Sequence, residues 1–225
     1  MNTFERIYEA LYDMYGPQGW WPLMTYKNSE LCCAYHPEDY HLPQTQSQVY
    51  EICVGSILTQ NTAWRNVEKA LVHLYQIKAL DPKTIQTVQV EKIKEAIRPA
   101  GYFNQKAKKI LAFNEFYLKL DHQVPSREQL LSVWGIGPET ADSILLYAYK
   151  QPSFVVDTYT RRIFTHLGLI QEKMTYDAIK KEFEHHLKSD VEIYQEYHAL
   201  IVGHAKHYYQ KKKTYAQDPL LSFSQ

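Results

Sequence analysis

Apolar residues recur at helical spacing in several separate stretches of the chain. Phe4, Ile7, Tyr8, Leu11 and Tyr15 form one stripe that stops at Gly16, a residue suited to the backbone turn that ends a helix. Ala70, Leu71, Leu74 and Tyr75 continue a second stripe after Trp64. Ile163, Phe164 and Leu167 give a third, closed by Gly168. A fourth runs through Ala141, Ile144, Leu145 and Ala148, spaced i, i+3, i+4 and i+7. Only Phe154 to Val156 tempts a strand reading, and it is too short to build a sheet. Residues 16 to 43 hold four prolines and few periodic apolar positions, so they read as a linker. The pattern predicts an all-α protein without internal repeats.

Two segments carry chemistry within this helical frame. Ser126 and Gln129 form a capping box, and Pro138 occupies the first turn of the following helix, where its missing N–H costs nothing. Between them Gly135 and Gly137 permit a tight hairpin, so residues 126 to 149 read as helix, hairpin, helix. Such a turn offers free N–H groups to a phosphate, although an ordinary corner closed by glycines reads the same way. Downstream, Phe154-Val155-Val156-Asp157 delivers a carboxylate to the start of a helix. Asp157 there accepts backbone N–H bonds and feels the positive end of the helix dipole, whether it is a cap alone or also a reactive group.

Composition narrows the class without fixing it. The 225 residues suffice for one compact unit with a substantial core. No apolar run is long enough to cross a bilayer, and charged residues interrupt the first fifteen positions, which argues against a signal peptide. Three cysteines, Cys32, Cys33 and Cys53, do not make a disulfide framework, so a reducing cytoplasm is expected. Net charge is zero and the pI is about 7.1. A nucleic-acid surface must therefore be assembled locally, from Lys106, Lys108 and Lys109, from Arg161 and Arg162, and from Lys206 with Lys211, Lys212 and Lys213. Each group alone also reads as a solvated helix surface. His185 and His186 are adjacent rather than on one helical face, and His198, His204 and His207 have no partner at ligand spacing, so no metal site is expected.

Five collinear motifs give a resemblance. They are Ile-Leu-Thr-Gln-Asn-Thr at 57 to 62, Arg-Pro-Ala-Gly-Tyr-Phe-Asn-Gln-Lys-Ala at 98 to 107, the hairpin, Val-Val-Asp-Thr at 155 to 158, and His-Ala-Leu-Ile-Val-Gly-His-Ala-Lys at 198 to 206. Residues 45 to 210 thus resemble the helix-hairpin-helix, endonuclease III-like DNA glycosylases. The resemblance implies a two-lobed fold with the active cleft between lobes. One lobe would comprise residues 44–151, the other 1–43 with 152–225. It implies that Asp157 is the catalytic carboxylate and that Gly135, Ile136 and Gly137 bind the DNA backbone. It further implies that Gln60 fills the gap left by an extruded nucleotide, although a glutamine at a helix end also simply faces solvent.

Two departures from endonuclease III refine the expectation. Glu139 stands where bifunctional relatives carry the Schiff-base lysine, which implies a monofunctional enzyme without lyase activity. The four cluster cysteines align with Tyr209, Ala216, Pro219 and Gln225, so no iron-sulfur cluster is expected and apolar packing by the terminal tyrosines, Leu220, Leu221 and Phe223 should close that region. Gly-Trp-Trp-Pro at 19 to 22 and Trp64 make the chain similar to the cluster-free 3-methyladenine DNA glycosylase III group. That likeness implies a base pocket of Trp20, Trp21, Pro22 and Trp64, with a carbamylated Lys206 beside it. Core packing is the alternative for these tryptophans, and it is the role assigned to Trp134. An alkali ion at the carbonyls of residues 134 to 137 is the only metal implied, when DNA is bound. The expected protein is a monomeric glycosylase that acts on double-stranded DNA and releases alkylated purines such as 3-methyladenine. An oxidised-pyrimidine glycosylase and a non-catalytic DNA-binding module are the alternatives.

Overall fold

A computed structural model describes residues 1–210 and 215–224. It contains ten α-helices among the described residues: α1 (Thr3–Tyr15), α2 (Gln46–Leu58), α3 (Trp64–Gln76), α4 (Val90–Ala96), α5 (Phe103–Lys119), α6 (Arg127–Ser132), α7 (Pro138–Ser143), α8 (Thr158–His166), α9 (Tyr176–His186) and α10 (Val191–Tyr208). Two strands, β1 (Leu23–Lys27) and β2 (Glu30–Ala34), pair antiparallel from Leu23 opposite Ala34 to Lys27 opposite Glu30. No described helix is long and apolar enough to cross a membrane.

The β-hairpin corrects the linker reading of residues 16 to 43. Asn28 and Ser29 take φ of 49° and 65°, the left-handed pair that a two-residue hairpin turn requires. β1 runs from buried Leu23 to exposed Lys27 and β2 is half-buried from Leu31 to Ala34, so neither shows the alternation of a strand with one buried and one open face. The four helical stripes are observed. Gly16 and Gly168 end α1 and α8 with φ of 67° and 74°. The stripe after Pro138 is buried throughout, but its second half, Ile144–Ala148, widens into a π-helical turn.

The chain divides into two compact units. One comprises Met1–Trp20, His36–Tyr40 and the chain from Gln151 onward; the central unit comprises Trp21–Tyr35 and His41–Lys150. In the central unit α2 is buried on every side from Val49 to Leu58, and α3, α5, α7 and the hairpin pack around it. The core of the other unit is aromatic. Phe183 stacks on Phe154 at 4.2 Å and meets Phe4 edge-on at 5.0 Å, with Phe164 and Tyr197 alongside. Such ring pairs contribute about 0.5–1.5 kcal/mol each beyond the area they bury.

The region expected to replace the metal cluster closes differently from the apolar packing read in the sequence. Buried Asp218 accepts from His204 Nε2 at 2.8 Å, from the Tyr209 hydroxyl and from Leu220 N at 2.8 Å, while Tyr15 OH pairs with His204 Nδ1 at 2.9 Å. Burial alone would raise the Asp218 carboxyl. The bonds from His204, Tyr209 and Leu220 N outweigh it and hold Asp218 below the ordinary range. Leu220 is buried here as expected, and Arg6 lies over the Phe223 ring at 5.1 Å. Gln225, and the basic residues Lys211, Lys212 and Lys213, lie outside the described residues.

Candidate active site

Asp157 caps α8, and its two oxygens do different things. Oδ1 accepts from Thr160 N at 2.7 Å and from Thr160 Oγ1 at 2.8 Å. Oδ2 lies 3.9 Å from His198 Nε2, beyond hydrogen-bond reach, and accepts no hydrogen bond among the described residues. The cap therefore fixes the side chain and leaves one oxygen for a ligand. The approach to it is rigid: Phe154 N donates to Glu184 Oε1 at 3.0 Å, Val156 N to Tyr176 OH at 3.3 Å, and Phe154 to Val156 are buried. His198, from α10, was missed in the sequence. Burial holds its imidazole below the ordinary range, against the pull of Asp157, so a neutral ring faces the carboxylate. Forty-one positions separate the two residues, and no local spacing could have paired them.

Of the aromatic candidates, Trp21, Pro22 and Trp64 belong to the central unit and Trp20 ends the first segment of the other. Trp21 and Pro22 are buried, Trp20 and Trp64 half-buried. Trp21 meets Trp64 edge-on, with centroids 5.3 Å apart and planes at 87°, and lies 5.3 Å from Tyr147, a residue without a sequence signal of its own. Its indole sits on α2 at Gly55, where an added Cβ would come within 3.1 Å of the ring. Glycine at 55 thus gives the indole its seat. Trp134, by contrast, corrects the core assignment: it is 56% exposed, because it precedes Gly135 at the tip of the hairpin.

The hairpin is built as expected and is engaged more than expected. Arg127 at the start of α6 makes a two-pronged pair with buried Asp142 of α7, at 2.8 and 3.1 Å, which locks the two helices together. Gly135 has φ of 87°, and a Cβ there would strike the Lys109 side chain at 2.4 Å. Gly137 has an ordinary φ of −96° and open space where its Cβ would be. The fold requires glycine at 135 and does not require it at 137. Ile136 is buried beneath them.

Gln60 does not face solvent. Its Nε2 donates to Gly135 O at 3.1 Å and Thr140 Oγ1 at 3.0 Å, and its Oε1 accepts from Lys109 Nζ at 2.5 Å. Gly135 O, one of the carbonyls expected to hold an alkali ion, is thus already an acceptor. Lys106 also leaves the expected basic surface. It is 2% exposed and donates to Leu58 O at 2.9 Å, Ala100 O at 2.8 Å and Thr62 Oγ1 at 2.5 Å. Burial, with repulsion from Lys109, lowers its amine to about 8. Arg161 donates to Met174 O at 2.7 Å and Arg162 to Tyr209 O at 2.8 Å, so both are partly turned inward. Lys108 remains exposed.

Glu139 is exposed in the first turn of α7. Lys206 is exposed in the last turn of α10, which removes the desolvation argument for a carbamate there: an ammonium in water has no burial penalty to escape. Among the described residues no group of three or more His, Cys, Asp or Glu could hold a metal ion.

A family model described as HhH-GPD superfamily base excision DNA repair protein matches residues 54–189. A protein of Methanocaldococcus jannaschii that carries the name DNA repair glycosylase is 43% identical over 236 residues, covering 99% of this chain and 97% of its own length. Endonuclease III of Thermotoga maritima is 29% identical over 141 residues, 60% of this chain and 66% of that protein. Among solved structures, the 3-methyladenine DNA glycosylase of Helicobacter pylori, bound to 1,N6-ethenoadenine, superposes with a TM-score of 0.70 at 27% identity, over 92% of this chain and 98% of its own. An endonuclease III–DNA complex superposes with a TM-score of 0.76 at 18% identity, over 100% and 96% of the two chains, a likeness of fold.

Proposed function

The chain belongs to the HhH-GPD superfamily of base excision DNA repair proteins, and on that footing we propose that it is a monofunctional DNA glycosylase that hydrolyses the N-glycosidic bond of alkylated purines such as 3-methyladenine. It acts as a cytoplasmic monomer on double-stranded DNA. The observation that carries the reading is the division of labour at Asp157, one oxygen capping α8 and the other unengaged.

In the proposed reaction the C1′–N bond breaks with its electron pair leaving on the base. An N-alkylated purine is cationic, so it departs neutral and needs no proton at that moment. Asp157 supplies negative charge beside the oxocarbenium-like sugar. Water then adds to C1′ and loses its proton to Asp157 or to solvent, leaving an abasic site. Glu139 cannot form an iminium, so the strand stays intact. Substrate class rests on the tryptophans. A desolvated cation over an indole face gains about 2 kcal/mol, and stacking contributes about 1–3 kcal/mol per base. The H. pylori neighbour, named as a 3-methyladenine glycosylase, supports the same class. Gly135, Ile136 and Gly137 hold the DNA backbone; the open space over Gly137 supports close approach of a phosphate.

Purified protein incubated with methylated duplex DNA should release free 3-methyladenine and leave alkali-labile abasic sites without strand breaks. Borohydride added during turnover should trap no protein–DNA adduct. Release of oxidised pyrimidines instead would move the substrate to the endonuclease III class, and release of nothing with DNA binding retained would leave a binding module.

A further inference from the structure

Two buried carboxylates outside the proposed chemistry, Glu196 and Glu51, take the backbone on either side of Trp20, Trp21 and Pro22. Glu196 in α10 is 2% exposed, and its two oxygens accept from adjacent amides, Oε2 from Gln18 N at 2.8 Å and Oε1 from Gly19 N at 3.3 Å. Glu51 in α2 is 6% exposed and accepts from Met24 N at 2.7 Å through Oε1. Only four residues of chain lie between Gly19 and Met24.

The glycine before the tryptophans is constrained as well. Gly19 has φ of 64°, and a Cβ there would lie 2.2 Å from Pro37 N. Its carbonyl accepts from His36 N at 3.1 Å. Beyond the tryptophans, Glu51 and Gly55 lie one helical turn apart on α2, so the helix that grips Met24 also seats the Trp21 indole.

A buried carboxylate is an expensive way to satisfy an amide, since a neutral acceptor needs less desolvation. Burial pushes the Glu51 carboxyl up to about 7, against the bond from Met24 N. It raises Glu196 as well, against the bonds from Gln18, Gly19 and Tyr40. A charged acceptor makes a hydrogen bond roughly twice as strong as a neutral one, and a carboxylate offers two acceptor oxygens where an amide offers one. Both properties suit a clamp on backbone.

We propose that Glu196 and Glu51 are positioning residues for base recognition: Glu196 fixes the backbone that leads into Trp20 within its own unit, and Glu51 fixes the backbone that follows Pro22 within the central unit, so that each ring is set against its own unit before a base arrives. The inference rests on the reading that these tryptophans meet the extruded base. Preset rings lower the ordering cost of binding, and displaced ones cost on the order of 10²-fold in rate.

The geometry separates the two residues. Glu196 uses both oxygens, so Glu196→Gln loses one of its two amide bonds and Glu196→Ala loses both. Glu51 uses one oxygen, so Glu51→Gln keeps its bond. Single-turnover excision of 3-methyladenine should therefore fall on the order of 10²-fold in Glu196→Ala, by an intermediate amount in Glu196→Gln, and by less than about fivefold in Glu51→Gln, the difference between a charged and a neutral acceptor. Binding to duplex carrying a base-free tetrahydrofuran site should stay at the wild-type level in all three.

A second measurement needs no substrate. In a Trp134→Phe background, which removes the exposed tryptophan, acrylamide should quench the remaining tryptophans more strongly in Glu196→Ala than in the parent, and equally in Glu51→Gln and the parent. If Glu196→Ala loses its helical circular dichroism, Glu196→Gln decides. Unchanged quenching in both Glu196 variants overturns the clamp, as does equal loss of tetrahydrofuran-site binding and excision. A wild type that releases no alkylated base but shows the quenching pattern overturns the substrate reading and leaves the clamp standing.

Discussion

The start of α8 and the corner between α2 and α3 both carry residues that the sequence marks for DNA, and they use their polar atoms in opposite ways. Asp157 caps its helix with Oδ1 alone and keeps Oδ2 unengaged. At the corner, Gln60 uses both ends of its amide on Gly135, Thr140 and Lys109, and Lys106 directs its amine to three acceptors inside the protein. A motif names a residue type and cannot say how many of its bonding positions the fold has taken. What remains after folding is what a ligand can use.

Asp157→Asn tests the first half of that contrast and should have the largest effect. Asparagine is an equally good cap, so thermal stability and DNA binding should be retained. The chemical step, measured in single turnover, should slow by about 10²–10⁴-fold, because the unengaged oxygen loses its charge and its basicity. A loss smaller than about tenfold would return Asp157 to a cap and erase the contrast.

Lys106→Met tests the second half. Methionine keeps the aliphatic stem but leaves Leu58 O without the amine and Ala100 O with only the bond from the Thr62 hydroxyl, so denaturant unfolding should report a destabilisation of about 1–3 kcal/mol. The pH dependence is also specific. The folded amine titrates near 8 and the unfolded one near 10.5, so in that interval the unfolded chain binds the proton and the folded one does not. Stability therefore rises with pH through this window in the wild type and falls again as pH drops through 8. In Lys106→Met that rise should vanish. If Lys106→Met is as stable as wild type and binds DNA less well at every salt concentration, Lys106 belongs to the phosphate surface after all.

Trp64→Ala asks whether the aromatic cluster is a site or a piece of core. A cationic base gains the charge term as well as stacking, a neutral one only stacking. Excision of 3-methyladenine should fall about 30-fold more than excision of a neutral lesion, the equivalent of about 2 kcal/mol. Equal losses would leave Trp64 as support for Trp21.

Legibility in the sequence followed the same division. The helices and the hairpin could be read because their signals are local: Gly16 and Gly168 as stops, Ser126 and Gln129 as a capping box, Pro138 at a first turn. The β-hairpin could not, since neither strand alternates in burial, and the turn pair Asn28-Ser29 is its one signal. Lys106 and Trp134 were misread in opposite directions. Their ordinary preferences send lysine to the surface and tryptophan to the core, and the fold reverses both. His198 and Glu196 act across long separations, which no spacing rule reaches.

Gln60→Ala is the smallest of these effects and cuts most finely. With its side chain engaged as described, truncation removes bonds to Gly135 O, Thr140 Oγ1 and Lys109 Nζ at a half-buried position where water can replace part of them, so the loss should be about 1 kcal/mol in unfolding free energy. The amide of Gln60 and the amine of Lys109 act as one unit, so the double variant with Lys109→Met should cost less than the two single losses combined, by about 0.5 kcal/mol or more. A residue kept for the gap of an extruded nucleotide behaves otherwise: Gln60→Ala would leave stability untouched and weaken binding to duplex carrying a base-free site, with no coupling to Lys109. If both losses appear, Gln60 exchanges its protein partners for DNA on binding, and the corner is then the part of the molecule whose bonds are made to be broken.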